Sequence, residues 1–185
     1  FLPMPPVEGG ATEKSWYGLA HEFVRMGHEV TIISRRTADL PAEENERGLR
    51  HVRLPGHDHQ RRRSVNLWYD LQWSIRVWRT LPAAEITVVN CVALPLWLSW
   101  TRRDAGRVVT MPGRMPKGQY RLYPHIDRVL AVSSATKAAV LDENPRLSSI
   151  TRVCGYPIAW SRLSAGRTSS DGGPVTIGFV GRLHR

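Results

Sequence analysis

The sequence is poor in cysteine, short of acidic residues and without a long apolar run, and each shortage excludes something. Its two cysteines, Cys91 and Cys154, stand far apart among 185 residues. They lack the paired spacing of a zinc site or a disulfide framework, so both are expected to be buried, reduced thiols. The richest apolar stretch, 91–100, ends at Arg102 and Arg103, well short of the roughly 18 residues that span a bilayer. FLPMPP carries no basic leader and no small-residue cleavage site, which gives a cytoplasmic location, peripheral at most to the inner face of a membrane, as the expectation. Asp and Glu number 16 against 26 Lys and Arg, a formal net charge of +10. That excess favours an anionic partner: nucleic acid, a phosphate-bearing ligand or an acidic membrane surface. Zinc spacing, an RNP-like strand and a recognition helix are all missing, so no nucleic acid is expected. His57 and His59 flank Asp58 but sit beside Arg61, Arg62 and Arg63 with no third ligand, and no metal is expected.

What is present reads as α/β. Trp16, Leu19, Ala20, Phe23 and Gly27 recur at helical spacing, with Gly27 as the stop. His28 then sits between a helix end and a strand start, where it serves the turn. Runs rich in β-branched residues at 29–34, 49–55, 85–92, 107–112, 128–133 and 150–157 predict strands of a parallel sheet. Helices are predicted at 64–81, 94–103 and 135–142. This alternation predicts a Rossmann-like doubly wound parallel sheet. Residues 164–174, SAGRTSSDGGP, have linker composition. The boundaries follow: a first domain over 1–163, a linker over 164–174, and at 175–185 the first strand of a second domain.

The segment PPVEGGATEKSWYGLAHEFVRMGHEVTIISR at 5–35 resembles the N-terminal signature of retaining GT-B glycosyltransferases of the family-four type. VGRLHR at 180–185 resembles the opening of their second domain. AVSSATKAAVL at 131–141 and the Gly-Tyr-Pro-Ile stretch from Gly155 also fit. The resemblance implies the N-terminal, acceptor-side half of a GT-B fold. It also implies a nucleotide-sugar donor as substrate, an unspecified acceptor, and no cofactor or metal. Most of the donor site would lie beyond Arg185, so this chain alone is expected to be inactive.

Gly9 and Gly10 read as a tight turn presenting bare N–H groups at a helix N-terminus, a setting that favours an anion. The resemblance places that loop at the cleft, near donor diphosphate and acceptor. A valine at Gly10 is then expected to block the anion while sparing the fold. Glu13 also suits the first turn simply as a dipole partner. Arg182 matches the family's diphosphate-neutralising arginine. Arg114, Lys117 and Gln119 gather in PGRMPKGQY after a strand's C-terminal end, where doubly wound folds bind ligands; the segment reads as an acceptor or phosphate loop and equally as a solvated basic loop. The strand before it ends Thr110-Met111-Pro112-Gly113, where family members commonly carry His-Gly. Ser133 lies near the cleft in the family and also suits a helix cap.

The predicted helix at 64–81 sets Leu67, Leu71, Ile75 and Trp78 on one face, with Trp73 and Val77 off it. Tryptophans beside arginines suit peripheral contact with an anionic membrane; a helix packed on the sheet is the plainer reading. The leading function is an enzyme half that transfers a sugar from a nucleotide donor with retention. The alternative is a non-catalytic basic domain, membrane-docked or nucleic-acid-binding.

Overall fold

A glycine stands at each end of the first helix, α1 (Ala11–Arg25). At its C-terminus Gly27 N–H donates to Val24 O at 2.9 Å and His28 N–H to Phe23 O at 3.0 Å, which satisfies carbonyls the helix leaves open. His28 thus works through its backbone, its ring edge-on to Phe23. This computed structural model describes residues 3–6, 10–58 and 60–157. The expected linker and second-domain strand lie outside the described residues.

Seven strands follow: β1 (Val30–Arg35), β2 (Glu43–Glu46), β3 (Leu49–Leu54), β4 (Ile86–Val89), β5 (Arg107–Thr110), β6 (Arg128–Ala131) and β7 (Thr151–Val153). All but β2 fall on the β-branched runs. β2 reads Glu-Glu-Asn-Glu and has no apolar alternation to announce it. It is an edge strand, where charge discourages further pairing, and it joins β3 through the two-residue turn Arg47-Gly48. The strands form two sheets. One has the order β1-β3-β2, with β1 parallel and β2 antiparallel to β3; the other, β4-β5-β6-β7, is parallel throughout. The class is α/β with a parallel sheet, compatible with a Rossmann-like N-terminal half.

Helix α2 (Arg63–Thr80) joins the sheets, because Trp73, Val77, Val89, Leu94 and Val108 share a core with Ile33 of β1 and Leu54 of β3. Its buried residues are Trp73, Ser74 and Val77, whereas Leu67 and Ile75 face outward. Of the stripe that periodicity drew, Leu67 and Ile75 therefore face outward, whereas Leu71 is half-buried and Trp78 packs against the core. The helix expected at 94–103 is broken into two 3-10 turns around α3 (Leu98–Thr101). Arg102 leaves helical geometry as its guanidinium donates to Trp78 O and Leu81 O, each at 2.7 Å. Helix α4 (Ser134–Glu143) closes a second core of Tyr120, Tyr123, Val129, Val140 and Leu147.

Cys91 is buried, and burial pushes its thiol up to about 12. Cys154 is exposed, contrary to expectation: it follows the three-residue edge strand β7, which has no outer neighbour among the described residues to cover it.

Sheet edges are tied to preceding chain by Arg53, whose side chain is fully buried. Its Nε donates to Met4 O at 2.9 Å, Nη1 to Pro41 O at 2.9 Å and Nη2 to Glu44 Oε2 at 2.7 Å. Beside it, also buried, is His51, with Nε2 3.4 Å from Glu46 Oε2 but not aligned as a hydrogen bond. Burial first, then the Arg53 charge, holds its pKa below the usual 6.5. An unfolded chain would therefore take up the proton first on acidification. Stability from this group is complete above 6.5, declines as pH falls from there towards the folded value, and levels off below it. Urea unfolding from pH 7 to 5 should show wild type losing stability more steeply than His51→Gln, by up to about 1.4 kcal/mol per pH unit. Equal slopes would remove His51 as the source.

Candidate functional site

Parallel strands deliver their C-terminal ends to one edge of a sheet, and the loops that leave that edge form the site of an α/β fold. Here β4 runs out into Asn90, β5 into Met111-Pro112-Gly113, β6 into Ser133 and β7 into Gly155-Tyr156. Over the same edge lies the start of α1. Gly10 has φ 89° and ψ 120° and offers no side-chain cap. Because the intrahelical series opens with Lys14 N–H to Gly10 O at 3.1 Å, the preceding amides have no helical acceptor, and no group among the described residues caps them.

Three contacts fix α1 there. With its amide oriented to satisfy both neighbours, Asn90 accepts from Trp16 Nε1 at 2.8 Å and donates to Met111 O at 3.1 Å. Thr12 Oγ1 and Tyr156 OH lie 3.3 Å apart. Gly113 packs directly against that pair: a Cβ built on it would stand 2.9 Å from Tyr156 OH and 3.1 Å from Thr12 Oγ1. A side chain at 113 would push the loop off the helix start.

Beyond Gly113 the loop is held from behind. Glu143, in the last turn of α4, accepts from Gly118 N–H and from Tyr120 N–H, the latter at 3.0 Å. Asn144 Nδ2 donates to Tyr120 O at 3.1 Å. Thr110 and Tyr120 hydroxyls meet at 3.3 Å inside the core, where burial pushes the Tyr120 phenol up to about 12. Arg114, Met115 and Lys117 are left exposed on the outer rim. The arrangement can take an anion between helix-start amides that are uncapped among the described residues and the exposed cations.

Of the residues proposed from sequence, Gly10, Arg114 and Lys117 belong to this edge. Gln119 turns back, its Oε1 accepting from Lys117 N–H at 2.7 Å. Ser133 caps α4, accepting from Thr136 N–H at 3.1 Å. Gly9 and Arg182 lie outside the described residues. The sequence reading missed Thr12, Asn90, Glu143 and the contact made by Tyr156. Asn90 was discoverable, as the first polar residue after the β-branched run of β4, but nothing local marks Glu143. The His57 ring stacks on Tyr69 at 4.1 Å and Asp58 pairs with Arg35 at 2.5 Å. Among the described residues no three of His, Cys, Asp and Glu converge as metal ligands, and no helix is long and apolar enough to cross a membrane.

The profile of glycosyltransferase family 4 matches residues 9–152, more than half of the chain. The chain belongs to that family. The family 4 match runs from Gly10 through the 111–118 loop into β7 and ends short of Tyr156. Comparison with curated proteins and with solved structures yields no match.

The positive φ of Gly10 revises one expectation. A β-branched residue there is strained whether or not an anion binds, so Gly10→Val should lower unfolding free energy by about 1–3 kcal/mol. An unchanged urea midpoint would show that this turn relaxes to a conformation other residues accept.

Proposed function

We propose that the chain is the acceptor-side domain of a retaining glycosyltransferase of GT-B organisation, and that its strand edge binds an anionic group of the substrates. The observation that carries this reading is the seating of a bare helix N-terminus, at Gly10, against Gly113 and Tyr156, next to the exposed Arg114 and Lys117. Amides and cations at one rim stabilise phosphate charge without a titrating group. In this reading the donor is a nucleotide-sugar, a substrate rather than a cofactor, and no metal is required. Residues 1–163 form the acceptor domain, 164–174 the linker, and 175–185 open the donor domain. Gly9 adds to the loop, Arg182 meets the donor diphosphate from the far side, and Gln119 and Ser133 shape the acceptor loops. The reading puts the enzyme in the cytoplasm.

The test is kinetic. In the full-length enzyme Arg114→Gln and Lys117→Gln should each raise KM for donor or acceptor by about tenfold, the loss of one charge-assisted hydrogen bond. Both side chains are exposed, so the melting temperature should stay put. NMR of the product should report the donor's anomeric configuration. Wild-type kcat/KM in both variants would take the loop out of the site, and an inverted product would overturn retention. A full-length protein that transfers no sugar would instead favour a non-catalytic basic domain.

A further inference from the structure

Helix α1 and the β2–β3 hairpin meet along a polar seam. In the hairpin register Glu44 stands opposite His51 and Glu46 opposite Leu49, so Glu44, Glu46, His51 and Arg53 share one face of the sheet. Tyr17 of α1 reaches that face: its hydroxyl donates to both oxygens of Glu46, at 2.8 and 2.9 Å, and its ring lies 6.3 Å from that of His51. At the hairpin turn Gly48 packs on the same helix, where a Cβ would stand 3.0 Å from Val24 Cγ1. Glu46 is thus an acceptor through which the hairpin holds α1.

His51 is completely buried, and among the described residues neither of its ring nitrogens has a hydrogen-bond partner. A neutral imidazole carries one donor and one acceptor, and buried polar atoms left unpaired are costly enough to need a reason. Glu46 Oε2 stands 3.4 Å from Nε2, within reach of a small turn of the carboxylate, and Tyr17 shares that oxygen. Charged and titratable groups face the seam from three elements. The hairpin brings Glu44, Glu46 and Arg47, β3 brings Arg53, and α1 brings Tyr17 and His21, whose ring sits edge-on to Tyr17 at 4.6 Å. On the other flank β1 sets Val30, Ile32 and Ser34 opposite Leu49, His51 and Arg53, and none of those three β1 residues titrates. Glu44 is already paired with Arg53 Nη2 at 2.7 Å, which leaves Glu46 as the carboxylate for a charged His51.

We propose that this seam is a proton-operated switch: when His51 takes up a proton its Nε2–H captures Glu46 Oε2, Tyr17 is left with Oε1 alone, and α1 loosens on the hairpin. A charge-assisted hydrogen bond is about twice as strong as a neutral one, so an imidazolium displaces the phenol from the oxygen they share. Tyr17 stays a donor throughout, because burial and Glu46 push its phenol up to about 12. The switch stands on α1 and the hairpin alone; what the loosening does at the strand edge, where α1 begins, rests on the function proposed above.

NMR of the full chain, with labelled imidazole nitrogens and tyrosine rings, tests it between pH 8 and 5. His51 should titrate with a midpoint below 6.5, since burial and the Arg53 charge oppose the cation, and the Tyr17 ring signals should move with the same midpoint. Exchange of the α1 amides relative to those of β5 should rise about fivefold across the transition, as for the loss of one neutral hydrogen bond. Glu46→Gln should lower the His51 midpoint and hold the Tyr17 signals still. Tyr17→Phe should raise the midpoint, because the carboxylate is no longer shared. His21→Gln should leave the coupling as it is. Amide spectra of each variant report whether it folds. A His51 that stays neutral to pH 5, Tyr17 signals that do not follow it, or an unchanged exchange ratio overturns the switch. So does a Tyr17 shift that survives Glu46→Gln or disappears with His21→Gln. None of these readouts involves sugar transfer, so the transfer reading stands or falls separately.

Discussion

Arg53 is a guanidinium taken wholly out of water at the end of β3, and the candidate site depends on how that charge is satisfied. Its donors reach two backbone carbonyls and one carboxylate, from two separate stretches of chain, at Met4 and at 41–44. A buried cation is tolerated only with such partners, and removing any one strands the others. One of them, Met4 O, belongs to the segment that leads towards Gly10. The requirement to pair Arg53 holds Met4 against β3, while Trp16, through Asn90, ties α1 to the end of β4. The helix start is held against the edge of the other sheet, and among the described residues no hydrogen bond occupies its first amides. An anion site built of backbone needs that kind of external support, since its donors must stay unpaired.

The second half of the site follows the same logic with the opposite charge. Arg114 and Lys117 project from a loop whose backbone amides are anchored on Glu143. That carboxylate spends its acceptors on Gly118 and Tyr120, behind the rim, and not on the cations. Two consequences follow: the loop has a fixed root, and the side chains at its tip remain free to meet a ligand. A carboxylate paired directly with Arg114 would have cancelled the charge that makes the loop useful.

The strand positions were legible because β-branched runs bounded by turn residues carry their own signal, and six of seven were found that way. β2 was illegible for a physical reason: as a paired edge strand it needs no apolar face, and Glu-Glu-Asn-Glu supplies none. The end of α1 was legible in Gly27, but the break in the 94–103 helix was not, because it depends on Arg102 folding back to carbonyls some twenty residues earlier. The site divides in the same way. Gly10 and the basic loop announce themselves locally. Asn90, Tyr156 and Glu143 act across long sequence separations, and the Thr12–Tyr156 contact joins residues 144 apart. In α2 the residues off the predicted stripe, Trp73 and Val77, are the buried ones; periodicity can detect a stripe but cannot say what covers it.

The replacement of His-Gly after β5 has a structural consequence for how this edge can act. Thr110 points into the core to the Tyr120 hydroxyl, and Met111 is buried, so the strand end offers the ligand side its backbone and then Gly113. The groups packed behind it are poor proton carriers near neutrality. Burial holds Cys91 and Tyr120 near 12 and drives Tyr123 higher still. Burial leaves these three groups protonated near neutrality, so the polar groups this edge presents outward are its backbone and the exposed Arg114 and Lys117. For a reaction whose barrier is dominated by charge on a departing phosphate, that is sufficient, because preorganised donors act without titrating. On the function proposed above, this edge would contribute electrostatics and position through its backbone and exposed cations.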